Sequence, residues 1–113
     1  MGLEDRYGVT KSFLDSLYKY EPETGYLYAR TNARLVGINV PFGSKHLDLY
    51  VKDSLTGKYC WVNFLTHRLI YIMHHGEIPP NHWISFTDGQ QRNTKIDNLV
   101  ALPDRRGYHR DYE

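Results

Sequence analysis

The side chains that could transfer a proton or bind a ligand lie mostly in the second half of the chain. The stretch ISFTDGQQRNTKIDNL, from Ile84 to Leu99, contains the carboxylate of Asp88 and begins two residues after His82. Histidine and carboxylate are the usual proton-transfer groups of active sites. Asp88 beside Gly89 is equally typical of a turn residue. The loop Gln90 to Asn93 has donors that could contact nucleic-acid bases, although such loops are more often only solvated.

The elements around this stretch can be predicted from periodicity, beginning with the N-terminal part. The segment GVTKSFLDSLYKY predicts a first helix, capped by Thr10, whose apolar face comprises Phe13, Leu14, Leu17 and Tyr18. Residues 22–25 predict a turn and YLYAR a short strand. The stretch from Thr31 to Ser44 contains two glycines and a proline and predicts a loop.

A hairpin is predicted next. In KHLDLYVKD, three apolar residues (Leu47, Leu49, Val51) alternate with four outward positions (His46, Asp48, Tyr50, Lys52), as in a half-buried strand. The chain turns at Gly57, and YCWVNFL returns as the partner strand.

A central helix follows, from about His67 to His75, with Thr66 as its cap and Gly76 as its stop. Its buried face should comprise Leu69, Ile70 and Met73. The pair His74 and His75 fits favourable interaction with the helix dipole. TKIDNLVAL then begins as a short helix capped by Asn93 or Thr94, and Pro103 ends the ordered core before a polar tail.

Composition restricts the class of protein. The chain has 113 residues, a net charge of +1, 41% hydrophobic residues, ten tyrosines and two tryptophans. A nearly neutral net charge does not indicate a general electrostatic attraction to nucleic acid. The single Cys60 rules out an intrachain disulfide and a cysteine-built zinc site. No stretch has the length of a membrane span and no signal peptide is apparent, so we expect a cytoplasmic protein.

Four segments, taken in order, resemble a known family. YEPETGYLYAR, the hairpin, THRLIYIMHHGEIPP and DGQQRNTKIDNL resemble the phage-borne HNH endonucleases, including free-standing homing-type enzymes, over about residues 13–102. The resemblance implies an α+β fold: an N-terminal helix, a small antiparallel sheet, a central helix and a ββα-metal module. It implies one domain over 1–113, with an N-terminal α/β region at 1–64, an HNH-like core at 65–102 and a polar tail at 103–113.

The resemblance also implies where the chemistry would lie. In that family an acid and an Asn or second His hold a divalent cation, and an adjacent His is the general base. The acid falls on Ser85 and the base on Phe86, whereas the Asn that orients the base is retained as Asn98. The later metal ligand should lie near Gly107, where His109 is the nearby substitute.

Phenylalanine accepts no proton, and a serine hydroxyl is a poor ligand for a hard cation. We therefore expect no intact catalytic residue and no bound metal or other cofactor. A rebuilt site would have to use Asp88, which should face the same side as Phe86, with His82 or His109. His82 lies roughly 13 Å from Phe86 along a strand. Only such an active, divergent endonuclease would need Mg²⁺ or Mn²⁺.

These observations predict a catalytically degenerate HNH-like protein of phage type that acts by binding, not as an enzyme. Its expected partner is a host protein, an enzyme or part of a defence system that it would inhibit, because tyrosine and tryptophan are enriched at interface hot spots. The alternatives are a divergent active endonuclease and a DNA-binding module without hydrolysis. Phe86 should pack between the hairpin and the helix. The candidate contact residues for DNA or protein are Arg68 (which could instead brace the core), Arg92, Lys95, Arg105, Arg106, Tyr108 and Arg110.

Overall fold

The computed structural model describes residues 3–37, 45–90 and 93–103. Three α-helices, one 3₁₀ helix and seven strands are found there, and all strand pairing is antiparallel. In chain order they are α1 (Leu3–Arg6), α2 (Lys11–Leu17), β1 (Tyr18–Glu21), β2 (Tyr26–Ala29), β3 (Leu35–Val36), β4 (His46–Lys52), β5 (Tyr59–Leu65), α3 (Thr66–His75), β6 (His82–Phe86), the 3₁₀ helix (Ile96–Asn98) and β7 (Leu99–Pro103).

The strands form three separate small sheets, β1–β2–β3, β4–β5 and β6–β7. Helix α3 packs against α2, β5, β6 and the 3₁₀ helix, so it joins the sheets through one core. The predicted α+β class is therefore confirmed. None of the helices in the described residues is long and apolar enough to cross a membrane.

Helix α3 supplies the centre of the core. Leu69 and Ile70 are fully buried and Met73 nearly so, which confirms the predicted buried face. Burial of such a side chain contributes roughly 1.5–3 kcal/mol to folding. The helix ends at Gly76, whose φ of 90° lies in the left-handed region that glycine adopts most easily. The other residues of the buried core are Val9, Leu14, Tyr18, Leu27, Leu49, Val51, Phe64, Ile72, Ile84 and Leu99.

The predicted first helix is correct in its start and wrong in its end. Thr10 caps α2 by accepting a hydrogen bond from the Phe13 amide at 3.2 Å. The helix stops at Leu17, however, because Tyr18 begins a strand that pairs with Ala29. Pairing and burial of Tyr18 outweigh the local helical pattern. The helix α1 and the strand β3, which lies within the predicted loop, are absent from the predictions.

The N-terminal caps predicted for the other two helices are wrong. Thr66 is the first residue of α3, not its cap, and its hydroxyl donates to the Gly37 carbonyl at 3.0 Å. The 3₁₀ helix is preceded by Lys95 without a side-chain cap, so neither Asn93 nor Thr94 caps it. Thr94 is buried, and its hydroxyl donates to the Gly25 carbonyl at 2.6 Å. Tertiary contacts engage both threonines.

The hairpin formed by β4 and β5 is confirmed. Its pairing register runs from His46 opposite Leu65 to Lys52 opposite Tyr59. Leu49 and Val51 are buried on the inner face, as the alternation predicts. Gly57 has a φ of 75° in the connecting turn, where a side chain would be strained.

Candidate functional site

The positions of the expected acid and base lie at the end of strand β6. This strand pairs with β7, so that Ser85 lies opposite Val100 and Phe86 opposite Leu99. Both Ser85 and Phe86 are half-buried, and Ile84 before them is buried in the core. The hairpin is anchored by apolar pairing, and the residues at its end are held against α3.

Phe86 packs against the histidine at the start of α3. The ring centroids of Phe86 and His67 are 4.7 Å apart, with the planes inclined by 56°. Phe86 also joins the partly buried residues around the core. The predicted packing of Phe86 between hairpin and helix is therefore confirmed.

His67 is a buried neutral imidazole. It is 5% exposed, and burial, with a smaller contribution from the Arg68 charge, lowers its pKa from 6.5 to about 4. Its Nδ1 has no hydrogen-bond partner among the described residues. The Phe86 ring over it is apolar, so the histidine is enclosed instead of being presented to solvent or to a ligand.

Asn98 is committed to the loop between β6 and β7. Its Oδ1 accepts hydrogen bonds from the Thr87 hydroxyl at 2.7 Å and from the Asp88 amide at 3.0 Å. Its Nδ2 donates to the Asn93 carbonyl at 2.9 Å. A buried amide with these three bonds holds both ends of the loop together. In the family's mechanism Asn98 would orient the general base, but Phe86 at that position has no polar atom to which Asn98 could bond.

The prediction that Asp88 faces the same side of a strand as Phe86 is wrong, because β6 ends at Phe86. Asp88 lies in the following turn, where its carboxylate accepts hydrogen bonds from the Gln90 amide and the Asn93 side chain, both at 2.8 Å. These bonds, the one from Asn93 foremost, lower the pKa of Asp88. The contacts of Asp88 are therefore those of a turn residue.

The histidines lie apart from this turn. His82 opens β6 at the end remote from Phe86, and its Nδ1 donates to the Pro80 carbonyl at 2.9 Å. His74 and His75 are exposed at the end of α3, where the His74 Nδ1 donates to the Ile70 carbonyl. His109 lies outside the described residues.

Of the predicted contact residues, Arg68 and Lys95 are described. The Arg68 guanidinium makes two 2.9 Å hydrogen bonds to the Glu4 carboxylate, which is 4% exposed, so it braces α3 against α1. Lys95 is exposed before the 3₁₀ helix. The remaining residues, Arg92, Arg105, Arg106, Tyr108 and Arg110, lie outside the described residues.

A divalent cation does not fit the donors that the structure brings together. Ser85 offers a neutral hydroxyl, Phe86 offers no donor, and the Asp88 carboxylate is engaged within its own turn. Within residues 3–37, 45–90 and 93–103, no group of three or more histidine, cysteine or acidic residues could hold a metal ion. Hard cations require several oxygen ligands, usually with carboxylates among them.

An exposed cluster of rings on the β4–β5 hairpin was not assigned a role from the sequence. Tyr50, Tyr59 and Trp61 lie on its outer face and are 56%, 61% and 71% exposed. The alternation places Tyr50 on the outer face. The same alternation in YCWVNFL places Tyr59 and Trp61, which are two positions apart, on that face.

Strand β6 and the 3₁₀ helix pack on α3, and β7 pairs with β6, so these elements form one unit. A family model described as HNH endonuclease matches residues 64–107. The resemblance to HNH-type endonucleases that the sequence indicates is therefore confirmed, for the segment that contains α3 and the β6–β7 hairpin.

A solved structure gives the same result for the fold. It describes DNA binding and cleavage by the HNH homing endonuclease I-HmuI, with a TM-score of 0.58 and 20% sequence identity over 85% of this chain. This chain spans about half, 52%, of the length of that protein's chain. No curated protein matches the sequence.

Proposed function

We propose that this protein is an HNH-type module that has lost phosphodiester hydrolysis and acts by binding. The observation that carries the proposal is the end of β6, where the resemblance places the acid and the base at Ser85 and Phe86. The Phe86 ring packs at 4.7 Å from His67 instead of facing a substrate. Loss of a general base alone costs about a hundredfold to ten-thousandfold in rate.

The other polar groups of the module support a binding role because each has a structural task. Asn98 holds the loop through three hydrogen bonds. Asp88 closes the turn. His82 is four residues from Phe86 and bonds to the Pro80 carbonyl. A rebuilt metal site from Asp88 and His82 would have to break the turn in which Asp88 lies and bring together residues from opposite ends of β6.

The ligand of the proposed function is nucleic acid. The solved relative binds and cleaves DNA, and the fold that it shares with this chain is the support for this assignment. The second candidate is a host protein, a host enzyme or a component of a defence system, which the chain would inhibit in an infected cell. The near-neutral net charge of +1 favours that candidate.

Two assays on the full chain test the proposal. Incubation with supercoiled plasmid and Mg²⁺ or Mn²⁺ should yield no nicked product, whereas duplex DNA in EDTA should bind with an affinity that falls steeply with salt. Nicking by the wild type that Asp88→Ala abolishes, and Asp48→Ala leaves unchanged, would overturn the loss of hydrolysis. Asp48 is the matched control because its carboxylate is exposed on the other hairpin.

The salt series separates the two ligands. Binding of duplex that weakens with salt identifies nucleic acid. Absence of binding at moderate salt would contradict the nucleic-acid assignment and leave the protein partner, for which inhibition of a purified host enzyme is then the measurement.

A further inference from the structure

The outer face of the β4–β5 hairpin carries an aromatic platform that the HNH module does not use. The rings of Tyr50 and Tyr59 are stacked, with centroids 5.6 Å apart and planes inclined by 20°. Trp61 lies opposite Tyr50 in the register, with its ring 5.3 Å away. We call these three side chains the aromatic platform. Because each is more than half exposed, folding alone does not account for the cluster.

The platform is adjacent to uncompensated positive charge. Lys52 lies opposite Tyr59 in the register, and Lys58 precedes Tyr59 in the chain. Both lysines are exposed, and no salt bridge within the described residues engages either of them. The nearby Asp53 does not offset them freely, because Arg6 binds its carboxylate at 2.8 Å.

The acidic residue of the same face lies at the opposite end. Asp48 is the neighbour of Asn63 in the register, and its carboxylate accepts a hydrogen bond from the Asn63 side chain at 2.7 Å. Asn63 in turn accepts from His46 at 2.6 Å. This polar row ends the face on one side, whereas the two lysines end it on the other. The charge next to the rings is therefore positive towards the turn of the hairpin.

We propose that the aromatic platform binds single-stranded nucleic acid. Aromatic rings on a sheet surface stack the bases of unpaired strands, and adjacent lysines attract the phosphates. A duplex hides its base faces within its own stack, so the exposed rings match an unpaired strand better than a double helix. Lys52 and Lys58 supply the charge complementarity that distinguishes this ligand from an uncharged protein surface.

This inference deepens the proposed function and rests on it only for the choice of nucleic acid as the ligand. The platform and the β6–β7 module are different surfaces with different tests. The proposed loss of hydrolysis depends on Ser85 and Phe86, whereas single-strand binding depends on Trp61 and its neighbours.

The experiment measures fluorescence anisotropy of a labelled short oligothymidylate, and of a duplex of equal length, with the full chain in EDTA. The wild type should bind the oligothymidylate, and Trp61→Ala should weaken that binding by about tenfold to a hundredfold, as expected for the loss of one stacked base. Trp83→Ala should leave it unchanged. Trp83 is the matched control because it is a 46% exposed tryptophan on the other hairpin.

Two further measurements identify the contacts. Lys52→Ala should reduce the slope of log affinity against log salt by about 0.7, the value for one phosphate of a single strand. In the Trp83→Phe variant the tryptophan fluorescence comes from Trp61 alone, and it should be quenched when oligothymidylate is added. Circular dichroism melting curves should show that each variant is folded.

The outcomes are distinguishable. Failure of the wild type to bind oligothymidylate, or equal binding by Trp61→Ala, would overturn the inference, and a protein ligand for the platform would then be favoured. Duplex binding without any binding of oligothymidylate would overturn the inference while leaving the proposed function intact. Metal-dependent nicking by the wild type would overturn the proposed function and leave the result for the platform standing.

Discussion

The two hairpins β4–β5 and β6–β7 use the same antiparallel pairing and place their aromatic residues differently. In β6, Phe86 turns toward α3 and packs on the buried His67. In β4 and β5, Tyr50, Tyr59 and Trp61 turn away from the core and contact one another. An aromatic ring at a position expected to be catalytic therefore contributes to stability, whereas rings on a connecting hairpin are available for binding.

The difference shows how the loss of hydrolysis that we propose is compatible with an intact fold. Replacement of a polar base by phenylalanine removes a group that would need solvent or a ligand and adds apolar contact area. The hydrogen bonds of Asn98 keep the loop closed although its proposed mechanistic partner is absent. Binding can then be carried by another surface, because the core does not depend on it.

The largest expected effect compares the ring of Phe86, which packs on α3, with the exposed ring of Trp61. Phe86→Ala should lower the free energy of unfolding by about 2–4 kcal/mol, less than the greatest values for fully buried phenylalanines because Phe86 is only half-buried. Trp61→Ala should change it by less than about 0.5 kcal/mol, since the side chain is 71% exposed. Urea denaturation of both variants gives the comparison. Equal losses would show that the two hairpins do not differ in this way.

The next effect is a pH dependence that originates at His67. Its pKa is about 4 in the fold and about 6.5 when unfolded, so only the unfolded chain takes up the proton between these values. Stability is fully present above pH 6.5 and should fall as the pH drops toward 4, by at most about 1.4 kcal/mol per pH unit. The groups that act on the ring are Phe86, Arg68, Glu4, His46 and the Ile84 backbone.

Urea denaturation across that pH range tests this origin. His67→Gln removes the titrating group and should flatten the slope, whatever its effect on the absolute stability. His75→Gln, at the exposed end of α3, should retain the wild-type slope. A slope that survives in His67→Gln would assign the pH dependence to other groups.

A smaller effect compares two asparagines with several hydrogen bonds each. Asn98→Ala should cost about 1–3 kcal/mol, because the buried Asn98 side chain makes three hydrogen bonds and its loss leaves the Asp88 amide without its partner. Asn63→Ala should cost less than about 0.5 kcal/mol, since water replaces its two hydrogen bonds on an exposed face. Thermal melting of the two variants decides whether burial, and not the number of bonds, sets the loss.

The sequence predicts what is local and periodic in this molecule. The alternation of Leu49 and Val51 predicts the β4–β5 hairpin, and the spacing of Leu69, Ile70 and Met73 predicts the buried face of α3. The runs THRLIYIMHHGEIPP and DGQQRNTKIDNL indicate the resemblance, and the spacing of the family pattern places its acid and base at Ser85 and Phe86. The resemblance alone, and not periodicity, supplies the expected acid and base at those positions.

The errors occur where distant residues compete with local preference. Tyr18 pairs with β2 instead of continuing a helix, and Thr66 bonds to Gly37, 29 residues away. Asp88 faces the loop instead of the strand, because the position at which β6 ends depends on packing against α3. The aromatic platform combines residues from two strands, so the alternation predicts the face of each ring, whereas the contact between the rings becomes apparent only when the register is known.

The smallest expected effect compares the two tryptophans, one on each hairpin. Trp61 is 71% exposed and Trp83 is 46% exposed, a ratio of about 1.5. Acrylamide should therefore quench the fluorescence of Trp83→Phe, which retains Trp61, about 1.5 times as effectively as that of Trp61→Phe. Equal quenching would mean that Trp61 is covered in solution, most directly by a second copy of the chain. Sedimentation of the wild type would then identify that dimer, and oligothymidylate would have to displace it to reach the platform.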